Sequence, residues 1–181
     1  YQAIAREGGV ENVWLDRIGI IPTHLNAATL AAMLGEKAHY VAWKPKNEDA
    51  IKEVKKYFGK KIVVCGGYEP GHSTDFDAVM FAEAIKAELL INATKVDGIY
   101  SADPEKDPNA KKYEKLTYDE LLAIILKNPQ LPGEYRLFDL KATKLIKKLG
   151  LKTVFIDGRK PEEIIGAVEG KHHGTVVNSG N

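Results

Sequence analysis

Residues 66–75 read Gly66-Gly67-Tyr68-Glu69-Pro70-Gly71-His72-Ser73-Thr74-Asp75. An apolar run over residues 61–65 precedes this segment, and a helical pattern follows it. A glycine-rich turn between a strand and a helix offers backbone N–H groups and a helix N-terminus to an anion. The segment therefore predicts an α/β fold with a site for a phosphate-bearing ligand. An ordinary tight turn is the alternative reading of the same residues.

The segment is close to a P-loop, but one essential residue differs. Gly66 and Gly71 have the P-loop spacing, and Ser73 follows two positions later. His72 stands where a P-loop has its lysine. Because that lysine contacts the β- and γ-phosphates, a P-loop is not predicted.

Length and composition indicate one domain of a globular protein. The 181 residues suffice for a core, and 44% are hydrophobic and 28% charged. The 26 Lys and Arg residues nearly balance the 25 Asp and Glu residues, which argues against nucleic-acid binding through a basic surface. Cys65 is the one cysteine, and neither a secretory leader nor a transmembrane run is evident. A cytoplasmic protein without membrane contact is therefore expected.

Strand and helix patterns alternate along the chain. Strands are expected at residues 39–43, 61–65, 88–93, 152–156 and 174–177, and an irregular stretch over residues 94–116. This alternation predicts a mostly parallel sheet with helices on both faces, a three-layer α/β/α sandwich. Ligands bind beyond the carboxyl ends of such strands, which is where loops 66–75 and 94–104 lie.

End signals predict where the helices begin and stop. Residues 1–6 indicate the tail of a helix, and Gly35 is expected to end a helix with apolar positions from Ala27 to Leu34. Pro22 is expected to kink or interrupt any helix begun near Asn12. The remaining helices are expected to start at Asn47 as an N-cap, at a Thr74–Asp77 capping box, at a Thr117–Glu120 capping box, near Asp139 and at Pro161.

A second loop carries a distinctive pattern, Asn92-Ala93-Thr94-Lys95-Val96-Asp97-Gly98-Ile99-Tyr100-Ser101-Ala102-Asp103-Pro104. Alone it would be a surface loop with two turns. Together with residues 66–75 it resembles the amino-acid kinase family, and most closely the archaeal uridylate (UMP) kinases. Loops of those enzymes read G-G-[T/F]-x-P-G-H-[T/S]-T-D and A-T-N-V-D-G-V-Y-x-x-D-P.

Three further segments resemble the same family in the same order. Residues 15–26 are similar to D-x-I-G-I-x-x-T-x-x-N-A, and residues 133–144 to G-T-x-x-x-x-D-x-x-A-x-K. Residues 174–177 resemble the C-terminal G-T-x-I. The resemblance implies the amino-acid kinase fold and transfer of the ATP γ-phosphoryl group to UMP, with ATP and Mg²⁺ as cofactors. It also implies a homo-oligomer, a hexamer in the family.

The resemblance also implies residue roles. Asp16 would accept hydrogen bonds from the ribose hydroxyls of UMP, which suits a carboxylate. UMP would further be held by the segment Tyr68, Glu69, Pro70, Gly71, His72, Ser73 and Thr74. ATP would contact Thr94, Lys95, Tyr100 and Asp103. Lys144 is the candidate catalytic cation, with a solvated lysine as the alternative. No metal ligand is predicted, because adjacent His172 and His173 are a weak signal.

Four positions depart from the family pattern. His24 stands where arginine is usual, Lys95 replaces asparagine, and Phe76 and Asp77 replace two small residues. The family's N-terminal glycine-rich strand and G-G-G loop have no counterpart in residues 1–181, so these residues alone are expected to be poorly soluble and to show no ATP-to-UMP transfer.

Two other functions remain open from the sequence. One is another kinase of this fold that phosphorylates an amino acid, a carbamate or a small phosphate. The other is a non-catalytic protein of the same fold that binds a nucleotide or an oxoanion.

Overall fold

The structure, a computed structural model, describes residues 1–127 and 137–180. The chain divides into two compact units, the first over residues 1–85 and the second from residue 86 onward. The motif residues 133–136 lie outside the described residues. The prediction of one N-terminally incomplete domain over residues 1–181 stays a prediction.

The first unit is a two-stranded parallel sheet with helices. Its elements are α1 (Gln2–Glu7), α2 (Asn12–Leu34), a short 3-10 turn (Gly35–Lys37), β1 (Ala38–Val41), α3 (Asn47–Tyr57), β2 (Ile62–Cys65) and α4 (Thr74–Ile85). Ala38 pairs with Ile62 at the start of the β1–β2 ladder, and Val41 with Cys65 at its end. Its core contains Val41 from β1, Ala50 and Val54 from α3, and Tyr68 from the loop after β2.

Helix α2 passes through Pro22 without interruption, so the predicted interruption is wrong, and the alternative, a kink at Pro22, stays a prediction. Proline removes one backbone donor and so leaves the carbonyl of Ile18 without its helical partner. Because Pro22 is exposed, water can satisfy that carbonyl. Gly35 ends the helix with φ of 58°, as the sequence predicts.

By length and composition alone, the segment from Asn12 to Lys37 could cross a membrane. Core helices of soluble proteins can have the same length and composition. Here α2 packs on β1 and β2, and it buries Leu15, His24, Ala27 and Ala31. Its packing is therefore that of a helix covering a sheet.

The second unit is built around a four-stranded sheet. Its elements are β3 (Leu89–Thr94), β4 (Ile99–Tyr100), β5 (Lys112–Tyr113), β6 (Lys115–Thr117), α5 (Tyr118–Lys127), α6 (Leu140–Leu149), β7 (Lys152–Asp157), α7 (Pro161–Glu169) and β8 (Thr175–Asn178). The order is β3-β7-β8-β6, and only the β7–β8 pair is antiparallel. Strands β4 and β5 form a separate antiparallel ladder. The predicted α/β class with mostly parallel strands is confirmed.

The stretch over residues 94–116 was predicted to be irregular, and this is wrong in part. It contains β4, β5 and the start of β6. Strands of two or three residues are too short to show an alternating pattern, which explains why the sequence does not reveal them.

The starts of helices α5, α6 and α3 test three of the predicted capping signals. The Thr117–Glu120 box is confirmed, because Oγ1 of Thr117 accepts from the N–H of Glu120 at 3.1 Å and Glu120 accepts from the N–H of Thr117 at 2.7 Å. Asp139 caps α6 by accepting from the N–H of Ala142 at 2.8 Å. Asn47 is not a cap, since its side-chain amide donates to Glu69 instead.

Gly174 permits a backbone contact in the second unit, and this gives a stability prediction. A Cβ at Gly174 would lie 2.0 Å from the carbonyl oxygen of Phe155 on β7. We expect Gly174→Ala to lower the free energy of unfolding by about 1–3 kcal/mol, the cost of overpacking. Gly8→Ala is the control, because its Cβ would make ordinary contacts with the oxygens of Ala5 at 3.4 Å and Ile4 at 3.7 Å. Chemical denaturation checks this, and equal midpoints for the two variants would contradict it.

Candidate nucleotide site

The loop after β2 is fixed by the closeness of helix α2. A Cβ at Gly66 would lie 2.7 Å from the backbone nitrogen of His24, so only glycine fits there. The N–H of Gly67 donates to Oγ1 of Thr23 at 2.8 Å. Nε2 of His24 lies 2.8 Å from the carbonyl oxygen of Gly67, and its Nδ1 lies 2.9 Å from the hydroxyl of Tyr40. Gly67 is therefore held by two side chains of α2, and Gly66 allows the helix to approach closely.

Asp16 reaches the same loop from the preceding part of α2. Its Oδ2 accepts a hydrogen bond from the N–H of Gly71 at 2.8 Å. Gly71 has φ of +83°, a conformation that glycine adopts without strain. The structure thus brings Asp16 to the predicted nucleotide loop, although the two lie 55 residues apart in sequence.

Tyr68 lies in the core of the first unit. Its side chain is 2% exposed, and burial raises the pKa of its hydroxyl to about 12. Nε1 of Trp43 donates to the carbonyl oxygen of Tyr68 at 3.1 Å. The N–H of Tyr68 donates to Asp77, so among the predicted UMP contacts Tyr68 can offer its carbonyl oxygen, which keeps one lone pair, rather than its buried ring. The neighbouring Glu69 is exposed and accepts from the amide of Asn47.

The cap of helix α4 lies one residue earlier than the sequence predicts. Oγ of Ser73 accepts from the N–H of Phe76 at 3.1 Å, so Ser73 caps the helix and Thr74 is its first residue. The predicted partner of Thr74 in a capping box, Asp77, instead accepts from the N–H of Tyr68 at 2.7 Å. The Thr74–Asp77 box is therefore wrong, because the loop takes the carboxylate that the box would use.

A cavity of about 390 Å³ adjoins this loop within the first unit. Thr23 on α2, Gly66 and Gly67 after β2, and Thr74 and Asp77 on α4 contribute to its walls. Small-ligand sites have volumes in this range, with a few polar groups among apolar walls.

The second loop forms a compact turn after β3. The hydroxyl of Thr94 accepts from the N–H of Val96 at 3.0 Å and lies 2.9 Å from its carbonyl oxygen. Lys95 is exposed and pairs with Glu105 at 3.1 Å. Asp103 accepts from the N–H of Glu105 at 3.0 Å. Lys95 and Asp103 are therefore linked through Glu105, and Thr94 stabilises a separate turn with Val96.

Tyr100 is held at the centre of this loop. Its hydroxyl donates to Oδ1 of Asp97 at 2.6 Å, and Lys112 pairs with Oδ2 of Asp97 at 2.7 Å. The bond to Asp97 raises the pKa of Tyr100 to about 12. Desolvation raises the pKa of Asp97, but the bonds from Lys112 and Tyr100 outweigh it and leave that pKa below its ordinary value.

Gly98 makes this arrangement possible. It has φ of +146°, and a Cβ there would lie 2.6 Å from Oγ1 of Thr175 on β8. The same hydroxyl accepts from the N–H of Ile99 at 2.8 Å. The final strand of the second unit therefore fixes the backbone of the second loop.

Lys144 lies on the exposed side of α6, and no ion pair is found for it among the described residues. Nothing in the described part of the chain groups three or more His, Cys, Asp or Glu side chains as a metal site. The structure thus brings Asp16 together with loop 68–74 in the first unit, and Thr94, Lys95, Tyr100 and Asp103 together in the second.

Sequence reasoning missed several residues that hold these loops. They are Thr23 and His24 on α2, Asp77 on α4, Asp97 and Lys112 beside Tyr100, and Thr175 on β8. The unusual His24 and Asp77 were visible as departures from the family pattern. The contacts of Lys112 and Thr175 join distant residues, and no local pattern reveals them.

Comparisons with known proteins agree with this geometry. Residues 2–157 match the model of the amino acid kinase family. The uridylate kinase of Pyrobaculum arsenaticum is 39% identical over 98% of this chain and 79% of its own length. That of Archaeoglobus fulgidus is 41% identical over 96% of this chain and 76% of its own length.

A solved structure is similar as well. The crystal structure of uridylate kinase from Archaeoglobus fulgidus matches with a TM-score of 0.81 and 40% identity, covering 98% of this chain and 78% of that one. The amino-acid kinase fold predicted from the sequence is therefore confirmed.

The Tyr100–Asp97 bond gives a spectroscopic prediction. Asp97→Asn removes the charge that holds the phenol proton, so we expect the pKa of Tyr100 to fall from about 12 toward its ordinary value of about 10. Ultraviolet titration of tyrosinate absorbance measures this, and Tyr100→Phe identifies which step of the titration belongs to this residue. An unchanged titration in Asp97→Asn would contradict the bond.

Proposed function

This chain belongs to the amino acid kinase family, and we propose that within it the chain acts as a uridylate kinase, transferring the γ-phosphoryl group of ATP to UMP to give UDP and ADP. The similarity to uridylate kinases, near 40% identity over almost the whole chain, carries this proposal. The paired motifs at residues 66–75 and 92–104 support it independently, since each forms an ordered loop.

The UMP half of the proposal rests on the first unit. Oδ2 of Asp16 holds Gly71, so its Oδ1 is the oxygen proposed to accept from a ribose hydroxyl. Gly71, His72, Ser73 and Thr74 lead into the start of α4, whose N-terminus favours an anion. Tyr68, Glu69 and Pro70 complete the proposed binding segment, with Tyr68 contributing its backbone.

The ATP half rests on the second unit. Tyr100 presents an aromatic ring whose hydroxyl is tied to Asp97, so the ring is held in one orientation for contact with a nucleotide. Lys95, five positions before Tyr100, is an exposed cation. It pairs with Glu105, which is exposed as well, so its ammonium group is available for contact with a phosphate. Thr94 and Asp103 keep the loop in shape.

Transfer between two phosphates requires positioning and charge neutralisation more than acid–base chemistry. The attacking UMP oxygen is already an anion, so no general base is proposed. Lys144 is proposed as a cation that neutralises charge in the transition state. Mg²⁺ supplies further neutralisation, and the described residues form no cage for it, so it is proposed to bind together with ATP through phosphate oxygens.

We further propose a cytoplasmic homo-oligomer, with the hexamer of the family as its form. Helix α2 exposes apolar side chains that include Ile21 and Leu25, each 67% exposed, and Met33, 81% exposed. A row of exposed apolar side chains on one helix is typical of an interaction surface.

Nucleotide selectivity tests the function directly. We expect the protein to bind UMP more tightly than AMP or GMP, because Asp16 and residues 68–74 match the UMP-binding positions of the uridylate kinases. Calorimetry across the monophosphates measures this, and coupled ADP release with each acceptor measures transfer. Equal affinities, or phosphorylation of an amino acid or carbamate instead, would favour another kinase of this fold. Tight UMP binding by full-length protein with no transfer would favour a binding protein.

The role of Asp16 is tested by Asp16→Asn. Asparagine keeps an oxygen for the N–H of Gly71 but removes the charge that the ribose hydroxyls would meet. We expect UMP affinity to fall by about 1.5–3 kcal/mol, the value of a hydrogen bond to a charged group. Asp49→Asn is the control, because Asp49 is exposed and pairs with Lys52 on α3. Unchanged UMP affinity in Asp16→Asn would contradict the proposed contact with the ribose and leave Asp16 as an ordinary helix residue.

A further inference from the structure

Asp77 is a buried carboxylate that the proposed reaction does not use. It lies in the first turn of α4 and is 3% exposed. Its Oδ2 accepts from the N–H of Tyr68 at 2.7 Å, which ties α4 to the start of the nucleotide loop. A buried carboxylate costs free energy unless it is paired and hydrogen-bonded, so its other oxygen is informative.

The other oxygen of Asp77 faces His72. Oδ1 of Asp77 lies 3.5 Å from Nδ1 of His72. Among the described residues both atoms are buried and have no hydrogen-bond partner. The ring of His72 also packs edge-on against Phe76, with centroids 4.7 Å apart, so the imidazole is held in place beside the carboxylate.

Acidic and neutral titratable side chains lie next to this pair. Oε2 of Glu69 in the loop lies 3.7 Å from the same Nδ1 of His72. From β2, Cys65 adjoins Asp77, and burial with the charge of Asp77 raises the pKa of that thiol to about 11. Asp16 faces the loop from α2 through Gly71. Burial raises the pKa of Asp77, while the N–H of Tyr68 and the charge of His72 oppose that rise.

The sequence of the loop adds a second argument. Residues 66–77 contain Glu69, Asp75 and Asp77 but neither lysine nor arginine. His72 is therefore the one side chain in this segment that can carry a positive charge. An anionic nucleotide would be repelled here unless that charge is present.

We propose that Asp77 is a positioning residue of the nucleotide loop: its carboxylate faces Nδ1 of His72 and keeps that ring in place, so that the one side chain of residues 66–77 able to carry a positive charge can meet a nucleotide monophosphate. This inference rests on the proposed UMP site. It assigns a function to a residue that departs from the small side chain of the family pattern. The consequence is that removing the Asp77 carboxylate weakens nucleotide binding only while His72 is present.

Asp77→Asn separates charge from shape. The asparagine oxygen can still accept from the N–H of Tyr68, but the side chain no longer presents a charged oxygen to His72. We expect UMP to bind about tenfold more weakly to Asp77→Asn, a loss of about 1.4 kcal/mol. Glu83→Gln is the matched control, because Glu83 is an exposed carboxylate on the same helix. This control should bind UMP like the unchanged protein.

The measurement is the UMP-binding profile by calorimetry on the full-length protein at one fixed pH, that is, the dissociation constants of the unchanged protein, Asp77→Asn, His72→Gln and the double variant. We expect Asp77→Asn to weaken UMP binding in the unchanged background and to add nothing in the His72→Gln background.

Two outcomes would overturn the inference. One is an Asp77→Asn profile identical to that of Glu83→Gln. The other is an equal loss of affinity with and without His72, which would make Asp77 a purely structural acceptor. If the unchanged protein does not bind UMP, the proposed function fails instead. Hydrogen exchange of the ligand-free loop then still tests the pair: faster exchange over residues 68–72 in Asp77→Asn than in Glu83→Gln supports it, and equal exchange overturns it.

Discussion

The close contact between helix α2 and the glycines after β2 is the constraint on which the nucleotide loop depends. No side chain fits at Gly66, because a Cβ would lie 2.7 Å from the backbone of His24. Because Gly66 has no side chain, Thr23 and His24 can approach closely enough to bind the N–H and the carbonyl oxygen of Gly67. With one end of the loop fixed in this way, Asp16 on the same helix holds its middle at Gly71, and Asp77 holds Tyr68 from the far side. Three short contacts thus determine the path of a segment that has little secondary structure of its own.

Much of the fold follows from local sequence. Apolar runs and glycine or proline punctuation predict the order of the longer strands and helices, and the Thr117–Glu120 box and the Asp139 start follow from hydrogen bonds within four residues. The failures have a different cause. The capping roles predicted for Asn47 and Asp77 are wrong, because each side chain bonds to a residue outside its own helix instead of to a nearby backbone N–H. The interruption predicted at Pro22 is wrong, because that position is exposed and the carbonyl left without a helical partner is open to water. Strands β4 and β5 exist only because distant residues pair, and their two-residue length shows no period.

The candidate site was predictable to a similar extent. The motif resemblance identifies the two loops, and the structure shows each as an ordered unit. The resemblance could not show that Tyr68 is buried in the core, or that Asp97 and Lys112 hold Tyr100. These facts depend on burial and on contacts between residues far apart in sequence. The residues that depart from the family pattern, His24 and Asp77, are among those with the most specific contacts, because a buried polar side chain must find partners.

The hydroxyl of Thr175 also has a consequence for how the protein is made. Ile99 and Thr175 are 76 positions apart, so the second loop lacks this bond until 76 further residues have been synthesised. At about 5–20 residues per second, the ribosome needs several seconds to cover that distance. Residues 1–85 can complete their own contacts during this interval, since the described hydrogen bonds of their loop all lie within them. The first loop can therefore mature while the chain is still being translated, whereas the second must wait for the last strand.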